Sequence, residues 1–127
     1  MPEVTGGCFC GAIRYRILEL PRAGICYCGN CRRAVGAQSV AWVVSRRDVV
    51  EVLQGEPATY KAPNGASWSF CAVCGSTLFW EPHGEPGLFT VTTGTLDTPE
   101  AFPPANSAWD EERLPWDPPC LPPRPGA

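Results

Sequence analysis

The sequence predicts one mainly β domain, and three observations lead there. The chain has 127 residues, a length that suits a single domain. It carries fifteen prolines and thirteen glycines, so turns are frequent and elements short, which argues against a helix bundle. Several short stretches alternate apolar and polar residues with the period of two expected of a half-buried strand. No internal repeat and no linker interrupts residues 1–127. Residues 6–117 form the predicted core and 118–127 a tail.

In chain order, Ile13, Tyr15 and Ile17 alternate with Arg14, Arg16 and Leu18, a predicted strand. Pro21 to Gly24 reads as a turn. Cys31 to Gly36 reads as a short helical turn. Ser39 to Val44 is a strand with Val40, Trp42 and Val44 on one face. Val49 to Leu53 is another, ended by Gly55, and Thr59 to Ala62 a further one, ended by Pro63-Asn64-Gly65. Trp68 to Phe70 and Ser76 to Trp80 flank C-A-V-C as a strand–knuckle–strand unit. Leu88 to Thr93 alternates again and turns at Gly94 to Asp97. Beyond Pro99 the pattern fades, and six of the eleven residues from Pro115 to Pro125 are proline, so the C-terminal tail reads as extended or disordered.

The net charge is −3 and the pI about 5.1, with no basic stripe to meet a phosphate backbone, so nucleic acid is not an expected partner. The five Trp, three Tyr and five Phe therefore read mainly as core. No apolar run approaches the roughly 20 residues of a membrane helix. The N-terminus lacks the charged and apolar regions of a secretory signal, so a cytoplasmic location is expected.

That expectation bears on the eight cysteines, because disulfides seldom persist in the cytosol. Seven of them fall in three tight groups: Cys8-Phe-Cys10, Cys26-Tyr-Cys28-Gly-Asn-Cys31 and Cys71-Ala-Val-Cys74. Close pairs are the pattern of metal ligands, and Zn²⁺ favours a tetrahedron of thiolates. A C-x-x-C turn brings two sulfurs to one point, and Gly11 and Gly75 follow the pairs where positive φ eases the turn. Extended backbone at C-x-C sets both side chains on one side. Seven ligands make one closed site of four and leave three, and a three-thiolate site keeps a free coordination position, as catalytic sites do. Spacing alone permits two closed sites: Cys28 and Cys31 with Cys71 and Cys74, or Cys8 and Cys10 with Cys71 and Cys74. Cys120, in the proline-rich tail, reads as a free thiol.

The motifs GGCFCGAIRY (Gly6 to Tyr15), CYCGNCRRAVGA (Cys26 to Ala37), FCAVCGSTLFW (Phe70 to Trp80), TGTLDTP (Thr93 to Pro99) and LPWD (Leu114 to Asp117) cover most of the chain. Together they resemble the glutathione-dependent formaldehyde-activating enzyme (GFA) family, which also includes centromere protein V-like domains. The resemblance implies a β-tent, small antiparallel sheets pinned at one end by a structural zinc. It implies that Cys8, Cys10, Cys71 and Cys74 hold that zinc. Cys26, Cys28 and Cys31 would form the open, catalytic zinc site. The implied reaction joins formaldehyde to glutathione, and the class is carbon–sulfur lyase. Arg32 and Arg33, directly after Cys31, are the implied contacts for an anionic thiol.

One departure stands out. Family members typically carry a histidine shortly before the final Trp…Pro-Trp segment, and that position falls on Ser107 here. The single histidine, His83, lies in the loop EPHGEPG and reads as solvated. The expected function is thus a zinc lyase or adduct-former acting on a low-molecular-weight thiol and a small aldehyde. Two other classes compete with it: a zinc-built protein-interaction module, and a thiol-redox or metal-handling protein that uses the middle cluster. The number of zinc sites and the presence of a pocket beside that cluster discriminate them.

Overall fold

The computed structural model describes residues 3–85, 87–117 and 122–123. Cys120 and most of the proline-rich tail lie outside the described residues. Strands β1 (Val4–Gly7), β2 (Arg14–Ile17) and β5 (Val50–Gln54) form an antiparallel sheet in the order β1-β2-β5. The remaining strands are β3 (Arg22–Cys26), β4 (Val40–Arg46), β6 (Ala58–Lys61), β7 (Ser67–Phe70), β8 (Thr77–Glu81), β9 (Leu88–Thr92) and β10 (Asn106–Ala108). They build a seven-stranded sheet in the order β10-β3-β4-β9-β8-β7-β6. All its pairings are antiparallel except β10 with β3. One helix, α1 (Gly29–Val35), joins β3 to β4. The protein is mainly β, as its sequence predicts.

The two sheets pack face to face over one apolar core. Tyr15 and Ile17 from the small sheet are fully buried against Val43, Phe79 and Val91 from the large one. The Tyr15 and Phe79 rings meet edge to face at 5.3 Å, a favoured arrangement of aromatic quadrupoles. Across the small sheet, Arg16 sits opposite Glu51 and pairs with it at 2.9 Å.

Strand β4 is buried on both faces. Val43 points into this core, whereas Val40 and Trp42 point to the far side of the large sheet. The register carries that far side across the strands: Val40 lies opposite Cys26, Trp42 opposite Thr92, and Trp68 opposite Trp80 on one side and Tyr60 on the other. Helix α1 covers it, with Cys31 packed among Val40, Trp42 and Trp68. The molecule therefore has a main core between its sheets and a second, smaller one under the helix.

The expected turn at Pro21 to Gly24 is corrected by the structure: Arg22 to Gly24 already belong to β3 and pair with Val44 to Trp42. On the other side of β3, a Cβ at position 24 would stand 3.2 Å from the Asn106 side chain and 3.3 Å from its backbone carbonyl, closer than such contacts usually come. Its absence lets β10 approach, in the region where the sequence pattern fades.

Candidate metal centres and the cleft beside them

Two groups of cysteines converge, and no other His, Cys, Asp or Glu among the described residues joins either. The first holds Cys8, Cys10, Cys71 and Cys74. Cys8 and Cys10 leave β1 of the small sheet, and Cys71 and Cys74 form the turn between β7 and β8 of the large one. The group thus joins the two sheets at one end. Cys8 and Cys10 sulfurs are 3.6 Å apart, and Cys10 and Cys71 sulfurs 3.8 Å. Four sulfurs placed tetrahedrally at 2.3 Å from zinc would be separated by about 3.8 Å. The donor set and its spacing fit that ion.

Backbone and side chains shape this group. Gly11 and Gly75 take φ of 82° each, the left-handed conformation that closes the two turns. The Ile13 N–H donates to the Cys8 sulfur at 3.2 Å. Ser76, which the sequence reading passed over, links both turns: its oxygen accepts from the Phe9 N–H at 3.0 Å and lies 3.2 Å from the Cys74 sulfur. That hydroxyl is the chief reason the Cys74 pKa is lowered to about 5.

The second group holds Cys26, Cys28 and Cys31. Cys26 ends β3, Cys28 is the N-cap of α1, and Cys31 lies in the helix. The Cys28 sulfur takes the capping role usually filled by Ser or Asp, accepting from the Cys31 N–H at 3.2 Å. Cys31 and Cys26 sulfurs are 3.3 Å apart. Hydrogen bonds from Cys26 and Cys31 pull the Cys28 pKa down to about 2, while that same Cys28 pushes Cys26 up to about 11. One thiolate is favoured here at the expense of its neighbours, and a bound cation would allow all three to ionise. The set therefore fits a metal with three protein ligands.

An open cleft of about 730 Å³ runs between α1 and the end of the large sheet. Arg33 and Asn30 line it from the helix, and Tyr60, Trp68 and Phe70 from the sheet. Trp68 belongs both to the cleft and to the packed cluster around Cys31. Rings of Trp42 and Trp80 lie 6.0 and 6.1 Å from that of Trp68.

The arginines after Cys31 divide. Arg33 lines the cleft. Arg32 instead lies over Gly29 beside Glu112, whose carboxylate accepts from the Gly29 N–H at 2.9 Å and so holds the helix start. Ser107 is buried on β10, and its hydroxyl donates to the Asp110 carboxylate at 2.8 Å. His83 is exposed and packs over Gly65, where the absence of a Cβ leaves room for the ring.

A two-sheet frame joined at one end by four cysteines, with a three-cysteine group under its only α-helix among the described residues, defines a small β-tent protein with two candidate metal centres. The chain belongs to the family described as glutathione-dependent formaldehyde-activating enzyme, which matches residues 3–112. It is 31% identical over 81 residues to a Schizosaccharomyces pombe protein named an uncharacterized lyase. That stretch covers 63% of this chain and 58% of the relative, so less than two thirds of the relative's length is spanned. A Rhodobacter sphaeroides protein of known crystal structure superposes with a TM-score of 0.62 and 26% identity, over 73% of this chain and 87% of that one. No helix among the described residues is long and apolar enough to cross a membrane.

Proposed function

We propose that this chain is a zinc-dependent carbon–sulfur lyase that adds a low-molecular-weight thiol, glutathione or a similar one, reversibly to a small aldehyde. The single observation that carries the reading is the second cysteine group: three sulfurs without a fourth side-chain ligand among the described residues, at the start of a helix whose Asn30 and Arg33 line a cleft. The family match and the lyase name of the relative agree with it. In this reading Cys8, Cys10, Cys71 and Cys74 hold a structural zinc, and Cys26, Cys28 and Cys31 a catalytic one. The setting is the cytoplasm, where thiols stay reduced.

A zinc ion held by three thiolates supplies one thing, deprotonation of an entering thiol at its free position. The chain's own residues do the rest. Arg33 offers the cleft a fixed positive charge for the carboxylate of an anionic thiol. Trp42 and Trp68 shield the inner side of the cysteine group from water. The thiol sulfur attacks the carbonyl carbon, the C–S bond forms, and the carbonyl oxygen takes a proton to become a hydroxyl; the lyase direction reverses each change. Ser107 is bonded to Asp110, and in this reading both protons are exchanged with water.

The test is exchange spectroscopy by NMR on a mixture of glutathione and formaldehyde. The zinc-loaded protein is expected to accelerate exchange between free and adduct forms, and Cys28→Ser to remove the acceleration. Exchange at the uncatalysed rate with two zinc ions bound would sink the reading.

A further inference from the structure

The cleft has one aromatic wall, which neither a polar tripeptide thiol nor formaldehyde calls for. Its volume of about 730 Å³ lies in the range of sites for drug-sized ligands. A carbonyl compound with no substituent would leave its aromatic wall uncovered.

That wall is built by strand register. Tyr60 on β6 lies directly opposite Trp68 on β7, and Phe70 lies two residues beyond Trp68, so the three share one face of the sheet. Strand β6 is the last of the seven, so the wall stands at the sheet's open edge. Tyr60 is 57% exposed, while Trp68 is 8% exposed at the inner end of the wall beside the Cys31 cluster. The aromatic surface thus grades from a solvent-facing ring to a buried one in the packed cluster that includes Cys31. Facing it, Asn30 and Arg33 stand three residues apart on one side of α1, either side of Cys31's turn of helix. The helix wall is polar and cationic and the sheet wall apolar. A ligand that fills the cleft matches these walls with an anionic, polar part and an apolar part of ring size.

We propose that the cleft selects thiol adducts whose sulfur bears an apolar, aromatic-sized group. Arg33 engages the carboxylate of the thiol portion, and Tyr60, Trp68 and Phe70 stack on the apolar portion. The inference rests on the reading of the substrate as an anionic low-molecular-weight thiol. It departs from that reading in one respect: in place of a small aldehyde, the carbonyl partner carries a bulky apolar substituent.

The experiment is calorimetric titration of the zinc-loaded full chain with S-methylglutathione and S-benzylglutathione. Both are thioethers, so neither needs its sulfur ionised, and binding is read apart from catalysis. The benzyl compound is expected to bind at least tenfold more tightly. Tyr60→Ala is expected to cut that preference to about threefold or less, and Tyr60→Phe to restore it. Tyr60 is exposed on an edge strand, so both variants should fold, which circular dichroism verifies. Arg33→Gln is expected to weaken both ligands by a similar factor and leave their ratio unchanged. Equal affinity for the two thioethers, no binding of either, or a preference indifferent to Tyr60→Ala would each overturn the proposal. If the chain accelerates glutathione–formaldehyde exchange but shows no benzyl preference, only the cleft assignment falls. A benzyl preference without any accelerated exchange removes the lyase reading and leaves the cleft.

Discussion

The Thr77 hydroxyl donates to the Ala34 carbonyl at 3.1 Å, so the strand leaving the Cys71–Cys74 turn is tied to the last turn of the helix that carries Cys31. Ala34 offers one of the carbonyls that a helix end leaves without an internal partner. Thr77→Val keeps the side chain's shape and removes this donor. The expected loss is about 1 kcal/mol, the usual net worth of one such hydrogen bond. It should be read locally, as faster hydrogen exchange at the α1 amides with little change elsewhere.

The two cysteine groups should fail differently. Cys71 is 1% exposed and belongs to the group that joins the sheets. Cys71→Ser is expected to lower stability by more than about 3 kcal/mol, because structural zinc contributes to folding itself. Cys28→Ser is expected to keep the two-sheet frame, with a melting temperature close to wild type and one zinc ion fewer by elemental analysis. Equal loss of fold in both variants would contradict the division.

Graded chelation should separate the sites in time. Three protein ligands release a metal more readily than four, so the Cys26, Cys28 and Cys31 group is expected to empty first. Trp42 and Trp68 pack in the cluster around Cys31, so tryptophan fluorescence should shift with the first metal lost. Circular dichroism of the strands should change only with the second. A single simultaneous transition would count against two independent centres.

Asp97 supplies a pH test. Its carboxylate accepts from both Arg14 guanidinium nitrogens, at 3.0 and 2.5 Å, and from the Thr5 hydroxyl at 2.7 Å. Arg14 foremost, then Thr5, holds its pKa below the ordinary value. A carboxylate with a lowered folded pKa stabilises the native state above its unfolded value, about 3.9, and loses that contribution as pH falls through the folded value. Arg14 and Asp97 side chains are 38% and 42% exposed, so water screens the pair and about 1 kcal/mol is an upper expectation. In urea titrations, the gap between wild type and Asp97→Asn should narrow from pH 7 to pH 3. Metal loss at low pH affects both chains alike and cancels in the difference.

Much of this architecture was legible because burial on one face writes alternation into a strand. Tyr15 and Ile17, Val40 and Trp42, and the strands around C-A-V-C could be read directly. Strand β1 could not, because two of its four residues are glycine. Gly6 is required there: a Cβ would fall 2.3 Å from the Tyr15 hydroxyl and 2.5 Å from the Thr95 carbonyl. Strand β10 is three residues long and owes its place to β3, a non-local pairing that carries no local pattern. For the site, spacing marked the seven cysteines as ligand-like but allowed two groupings. Only the three-dimensional arrangement of β1 beside the β7–β8 turn brings Cys8 and Cys10 to Cys71 and Cys74. Ser76, Thr77 and Glu112 were invisible in the sequence because each acts through a backbone group distant along the chain.

The Cys28 sulfur is both a candidate metal ligand and the cap of α1. A helix of seven residues is too short to persist in water by itself. Its order is therefore borrowed from the atoms it surrounds: from Cys28 at its first turn, Cys31 beneath it and Thr77 at its end. Loading the centre is therefore expected to tighten the helix locally without touching the two-sheet frame, so that occupancy bears on the shape of the wall that substrate meets.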